Sequence, residues 1–348
     1  MVHIGIDLHK RESQICWLDS DTGEIRQQRI QTRRDRFLAV CGGQRPADVV
    51  IEAGTESEWV AECLEGLGHR VHVVDPNYGP MYPRVRRGRH KNDQRDAEAL
   101  AEASLHRTYR AVHRVSAANR RVRQVLMVRE ALVRTRTRLI AMVRAALRGA
   151  GLRVASGGAE TFVGRVRALA LRDELTETLG PALLVLEVLE TQVLVVDTQL
   201  AAAVAQDARM RRLQTAPRVG PITSAAYVAT LDDVGRFRNA SQVSSYLGLV
   251  PKDDSSGDRR RAGHITKAGP PRLRYLLVQA AWGILRGPET QGLALRDWAE
   301  RVAHRRGRRV AVVALARRLA RILYAMWRDE TRFEPRATSG RCAAPRAA

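Results

Sequence analysis

Residues 2–8, Val2-His3-Ile4-Gly5-Ile6-Asp7-Leu8, open the chain with a short apolar run that ends on a carboxylate. A run of this length, rich in isoleucine and valine, reads as a buried strand. The same pattern returns at 48–52, Asp48-Val49-Val50-Ile51-Glu52, where a second acid closes a second apolar run. Between them lie ESQICWLD (12–19) and EIRQQRI (24–30), two more strand-like segments. The turn Asp19-Ser20-Asp21-Thr22-Gly23 joins these two as a hairpin. A short helix is expected over 34–41 and another over 56–67, stopped by Gly68, before a fifth strand at 70–75 that Pro76 closes. Three strands in a meander followed by alternating helix and strand predict a mixed α/β sheet. A basic loop, 84–91, precedes a helix that starts near Asn92.

Beyond residue 112 the pattern becomes helical. Val122, Val125, Leu126, Val128, Leu132, Leu139, Met142 and Val143 mark an apolar stripe along 115–147, and a leucine- and valine-rich helix is expected from Pro181 to Ala205. Two such helices read as an antiparallel pair or a coiled-coil dimer arm, with packing rather than chemistry as their role. From Leu213 a Pro/Gly turn (TAPRVGPI) precedes a helix at 223–230, and further helices are expected near 240–247, 271–285 and 310–327. The expected division is 1–112, 113–207, 208–332 and a disordered basic tail, 333–348.

Lys and Arg number 59 against 37 Asp and Glu, a formal net charge of +22. Such an excess favours a phosphate backbone as partner, through counterion release. The start of the chain has no basic and long apolar regions of a signal peptide, and no apolar run is expected to reach the roughly 18 residues of a membrane span. A cytoplasmic protein that does not enter a membrane is therefore expected. Cys16, Cys41, Cys63 and Cys342 form no C-x-x-C pair, so a zinc site is unexpected and any metal must be held by carboxylates.

Four acids fit that requirement. Asp7 and Glu52 end strands, while Asp93 and Asp96 open a helix in K-N-D-Q-R-D-A-E-A-L. A spacing of i,i+3 puts the two aspartates on one helix face, about 5–6 Å apart at Cβ. Hard oxygen ligands of this kind suit Mg²⁺ or Mn²⁺, and two ions roughly 3.5–4 Å apart serve phosphoryl transfer. Each acid has an ordinary use as well. Asp7 could cap a turn, Asp93 a helix, and Asp96 could favour the helix dipole. Glu12, Glu56 and Glu98 are neighbouring alternatives.

The order Asp, Glu and D-x-x-D after a basic loop resembles the RuvC-like nuclease domain of the DEDD insertion-sequence transposases. That family includes the Piv DNA invertase and the bridge-RNA-guided recombinases. The segments RVGPITSAA, RFRNASQVSSYLGLVP and SSGDRRRAGHITKAG resemble its second conserved domain. The resemblance implies an RNase H-like mixed sheet, a helical coiled-coil middle and a helical C-terminal transposase domain. It makes Asp7, Glu52, Asp93 and Asp96 a catalytic, metal-binding tetrad. It also makes Ser256, before the glycine of the S-G motif, a nucleophile, with Ser255 as the adjacent alternative. The chemistry implied is a covalent phosphoserine with a free DNA 3′-hydroxyl.

The resemblance further implies DNA partners (element ends and target), a structured guide RNA, a homodimer or tetramer, and a place on the nucleoid. Lys252, Arg259, Arg260, Arg261, Lys267, Arg272 and Arg274 would draw nucleic acid to the serine loop. Residues 215–230 resemble a helix-hairpin-helix, able to hold a phosphate at a helix start. There Arg218 replaces the first glycine of the family's P-G-x-G, and Asn92 replaces the threonine of its K-T-D. Two other readings use the same residues. One is a RuvC-like junction resolvase or nuclease that activates water with metal and dispenses with Ser256. The other is a nucleic-acid scaffold whose acids are structural.

Overall fold

The computed structural model describes residues 1–81, 92–253, 262–287 and 292–335. These form two compact units, divided between Arg114 and Val115. The basic loop, Ser255, Ser256, Arg259, Arg260, Arg261 and tail residues 336–348 lie outside the described residues.

The first unit is built on β1 (Val2–Leu8), β2 (Glu12–Asp19), β3 (Ile25–Gln31), β4 (Asp48–Glu52) and β5 (Arg70–Val74). Helices α1 (Arg34–Cys41), α2 (Ser57–Glu65) and α3 (Asp93–His106) accompany them. The sheet order is β3-β2-β1-β4-β5; the first three strands pair antiparallel, and β4 is parallel to both β1 and β5. The hairpin between β2 and β3 closes as its turn residues predict. Gly23 takes φ +74° and its N–H donates to the Asp19 carbonyl at 2.8 Å.

Both faces of this sheet are covered. Ile4, Ile6, Ile15, Val49 and Ile51 bury one face against Phe37, Val60 and Leu64 of α1 and α2. Alternation sends the other residues to the opposite face, where α3 lies. Cys16 and Leu18 pack there on Ala97 and Ala101, while Val50 and Val74 pack on Leu100 and Ala103. His3 Nδ1 lies 2.9 Å from Ser104 Oγ, which donates to the Asp48 carbonyl at 3.2 Å. Gly5 is the closest approach. A Cβ at Gly5 would overlap the Ala97 carbonyl oxygen and the Ala101 nitrogen, both backbone atoms of α3. Only glycine lets this helix lie directly on the central strand.

The second unit contains α4 (Ala117–Gly149), α5 (Phe162–Arg167), α6 (Asp173–Gln206), α7 (Ala208–Leu213), α8 (Pro221–Leu231) and α9 (Ala240–Tyr246). A ribbon of β6 (Pro251–Asp253) and β7 (Ala262–Ile265) follows, then α10 (Pro271–Arg286), α11 (Leu293–Arg306) and α12 (Arg308–Arg328). The long helices α4 and α6 run antiparallel. Arg129 pairs with Asp197 and Arg136 with Glu190, while Val143 and Leu147 pack against Leu179 and Leu183. Two expectations are corrected here. Helix α6 begins at Asp173 and continues through Pro181, because Leu175 and Leu179 gain burial beside Phe162 and Val166. The apolar stripe of α4 is interrupted, since Val128 and Met142 are exposed.

Helix α6 corrects a third. It holds an 18-residue window of mean hydropathy 1.8, long and apolar enough by composition to cross a membrane. Scattered glutamates hid this run from inspection, yet the window tolerates them. In the structure one stripe of α6, including Leu186, Val193, Leu200 and Val204, is buried.

Helices α7, α9, α10 and α11 pack on α12, whose Leu315, Leu319 and Leu323 are completely buried. Buried hydroxyls find partners: Tyr227 donates to the Ala320 carbonyl at 2.7 Å and Tyr324 to that of Phe237 at 2.8 Å. Asp232 ties α4 to α8. It accepts from the Ser116 hydroxyl and the Asn119 side-chain amide, each at 2.6 Å.

Replacing Gly5 with alanine is expected to destabilise the chain by about 1–3 kcal/mol, the usual cost of overpacking. Denaturant unfolding measures it; an unchanged midpoint would show that α3 can lift without cost.

Candidate functional site

The sheet order decides where the first two acids lie. Ile6 of β1 is in register with Ile51 of β4, so the next residues, Asp7 and Glu52, leave the sheet side by side. Both belong to the alternation set that faces α3: Gly5 with Asp7, and Val50 with Glu52. Asp93 and Asp96 open that same helix. Asn92, not Asp93, caps it, its Oδ1 accepting from the Gln94 N–H at 3.1 Å. Asparagine and threonine are both good N-caps, so the departure at position 92 keeps the helix start. Asp93 is thereby released from the capping role that composition alone would assign it. Asp96 is buried at 5% exposure.

Asp7 is 6% exposed, and its Oδ2 is buried with no hydrogen bond among the described residues. His9 Nε2 lies 3.2 Å from that oxygen and 3.5 Å from Asp93 Oδ1, within ion-pair reach but not aligned to donate to Oδ2. One ligand atom each from Asp7, His9 and Asp93 lies within 4.8 Å of the others, a spacing that fits one metal ion. Burial raises the Asp7 carboxyl to about 6; His9 opposes the rise, and Glu52, Asp96 and Asp93 add to it. Asp7 therefore lies within reach of the charge of the other three acids. A buried carboxylate without a hydrogen bond, facing further acids, is a donor set in deficit of positive charge. A divalent cation corrects that deficit, so the residues fit such an ion.

His9 was not among the sequence candidates. Its signal was available in I-D-L-H: a residue two positions after Asp7 on an extended chain returns to the same side. Of the alternative acids, Glu12 pairs with Arg29 at 2.7 Å and Glu56 accepts from the Trp59 indole at 2.5 Å.

The second unit orders the motif segments around two glycines. Gly248 of Y-L-G-L-V-P takes φ +64°, and a Cβ there would strike the Ala268 backbone. Gly269 of K-A-G takes φ +76° and lies equally close to the Tyr246 carbonyl. Arg274 holds both segments, donating to the carbonyls of Leu247 at 2.9 Å and Ala268 at 3.0 Å. Arg272 lies 3.3 Å from Glu130 and over the Tyr275 ring. Lys267 is exposed. The ribbon of β6 and β7 pairs Asp253 with Ala262, and the chain between them carries Ser255, Ser256, Arg259, Arg260 and Arg261.

In the 215–230 segment the turn ends on Gly220, and Pro221 starts α8. Arg218 takes φ +61°, the left-handed region that glycine occupies at least cost. Its side chain lies against α10 where Gly283 and Gly287 have none to obstruct it.

Comparison with known proteins first gives the class, a transposase. Residues 4–151 match a family model described as transposase, of the DEDD type of IS110, and residues 210–292 match one described as the transposase IS116/IS110/IS902 family. Among curated relatives, a probable family 20 transposase of Pseudomonas aeruginosa is 33% identical, over 95% of this chain and 98% of its own. The transposase for insertion sequence element IS1111A of Coxiella burnetii is 30% identical, over 94% and 90%. That for IS1328 of Yersinia enterocolitica is 29% identical, over 95% and 98%. The chain belongs to the IS116/IS110/IS902 family of transposases, enzymes that cut and rejoin DNA.

A carboxyl raised from 3.8 to about 6 disfavours the folded state by roughly 3 kcal/mol once ionised. Between those values the native chain holds more protons than the unfolded one, so stability falls as pH rises through the window. Without metal, Asp7→Asn should raise the melting temperature at pH 8, and the gain should vanish below pH 4. Mn²⁺ should raise it for the parent protein and leave Asp7→Asn unmoved.

Proposed function

We propose that this transposase excises and inserts its own mobile element by site-specific recombination through a phosphoserine intermediate. The arrangement of Asp7 carries the reading: a buried, unbonded carboxylate oxygen beside His9 and Asp93, at the ends of strands that also present Glu52. Asp7, Glu52, Asp93 and Asp96 would hold Mg²⁺ or Mn²⁺, which would polarise a phosphodiester oxygen when bound. Asp93 and Asp96 reach the strand ends because α3 lies on Gly5. His9 orients the pair it approaches. Strand order β3-β2-β1-β4-β5, with the parallel pairs β1–β4 and β4–β5 beside an antiparallel meander, supports a RuvC-like, RNase H-like domain.

Ser256 supplies the nucleophile. Its oxygen bonds to phosphorus, the bond from phosphorus to the 3′-oxygen breaks, and the serine proton leaves with that oxygen as a 3′-hydroxyl. The phosphoserine ester conserves the bond energy, so the reverse attack by another 3′-hydroxyl rejoins strands without a further energy source. The +22 charge and the resemblance to RNA-guided recombinases support a structured non-coding RNA as guide, with base pairing selecting the target. A location on the nucleoid follows from this reading.

Two DNA sites need at least two copies of the chain. The exposed Leu184, Val188 and Leu194 of α6 support a dimer or tetramer joined through the helical middle, 113–207. The break after Arg114 supports a separate nuclease domain before it, and the core around α12 supports a transposase domain over 208–332.

Ser256→Ala separates recombinase from nuclease. Incubated with element-end DNA and Mg²⁺, the parent chain should form a protein–DNA adduct on Ser256, and the variant should neither form it nor cut. Retained cutting by Ser256→Ala would replace the serine with metal-activated water. Adduct on Ser255 instead would move the nucleophile by one residue. Asp7→Ala and Glu52→Gln should each lower cutting by about 10²-fold or more with folding intact.

A further inference from the structure

A cavity of about 1220 Å³ lies in the second unit, between the β6–β7 ribbon and helices α11 and α12. It exceeds the roughly 300–1,000 Å³ typical of small-molecule clefts. Its basic side chains are Lys267, Arg306, Arg309, Arg317, Arg318 and Arg321, and among the described residues no aspartate or glutamate lines it. Its apolar wall includes Ile265, Val313, Ile322 and the ring of Trp298, over which the Arg318 guanidinium lies at 4.7 Å. Arg317 presents an Nε that is buried and lacks a hydrogen bond among the described residues. Arg136, Arg144 and Arg272 also bury an unbonded Nε, so the groove is marked by its number of arginines rather than by this atom.

We propose that this groove binds a stretch of single-stranded DNA, its phosphates on the arginines and its bases against Trp298 and the aliphatic wall. The proposal rests on the transposase reading and adds to it a place for an unpaired strand. A duplex keeps its bases stacked inside and offers only phosphate and sugar to a groove of this width, so the apolar wall would stay wet. An unpaired strand offers both an anionic edge and aromatic faces, the combination that single-strand binders meet with basic grooves and stacking platforms. The transposase reading supplies DNA as the strand, and RNA is the competing outcome of the test below. The groove includes Pro251, Gly263 and His264 of the ribbon, whose two strands flank residues 254–261 in sequence. A strand held there lies beside Pro251 and Gly263, which are close in sequence to the S-S-G motif.

The test uses the full chain in EDTA, which separates binding from cutting. Fluorescence anisotropy is read with labelled oligo-dT, the matching dT·dA duplex and oligo-U. The exposed pair Arg309→Glu with Arg321→Glu should weaken oligo-dT binding at least about tenfold, and Trp298→Ala should weaken it about tenfold. Duplex binding should change by less than twofold in each, and Trp298→Phe should restore oligo-dT binding. Unchanged oligo-dT binding in the charge-reversed pair, or an equal loss on duplex, overturns the proposal. Tighter binding of oligo-U than oligo-dT overturns the assignment to DNA. Adduct formation on Ser256 reports on the recombination reading independently: adducts without groove binding sink this inference alone, and groove binding without adducts sinks the serine mechanism alone.

Discussion

Backbone contact between Gly5 and α3 sets the distance on which the acidic site depends. The helix carries two of the four acids, and its first turn reaches the strand ends only because the central strand has no side chain where Ala97 and Ala101 cross it. The neighbouring strand adds its acid through register, since Ile6 and Ile51 are paired and the next residue of each is a carboxylate. Two short-range rules, close packing and period-two alternation, thus gather residues from positions 7, 52, 93 and 96. The gathering has a cost in the metal-free chain. Burial strips Asp7 of hydration, and its Oδ2 gains no hydrogen bond among the described residues, so the carboxyl rises to about 6. A group so arranged makes folding and cation binding linked events.

Much of the first unit is legible in the sequence because its strands are short, apolar and separated by plain turn signals. The strand 48–52 and the helix 34–41 fall where periodicity puts them. The acids stood out because a carboxylate after Val-Val-Ile has no comfortable bland role. His9 was less visible, since a lone exposed histidine beyond a strand carries no pattern of its own. Gly5 was equally silent: one glycine in an apolar run does not announce the helix, more than ninety residues later, that will lie on it.

The helical unit was harder to read, for a physical reason. Helix α11 carries six charged residues among its fourteen and fully buries only Leu295 and Ala299, so its apolar stripe is weak. The ribbon strands β6 and β7 span three and four residues, too short for alternation to register. Arginine also has more than one use here. Arg123 donates to the carbonyls of Ala229 and Thr230 at the end of α8, while Arg274 holds two glycine-containing turns together. Net charge counts these structural arginines together with those that line the groove beside α12, and only the fold tells them apart.

Arg218 illustrates how such a division becomes fixed. It occupies a left-handed backbone position, and its long side chain fits because α10 presents Gly283 and Gly287 beneath it. The three positions now constrain one another. A bulkier residue at 283 would press on the arginine's Cγ and Cδ, whereas a chain with glycine at 218 would leave that helix position open to alanine. Divergence at this turn therefore has to proceed in correlated steps, and the order in which they occur determines which intermediates survive.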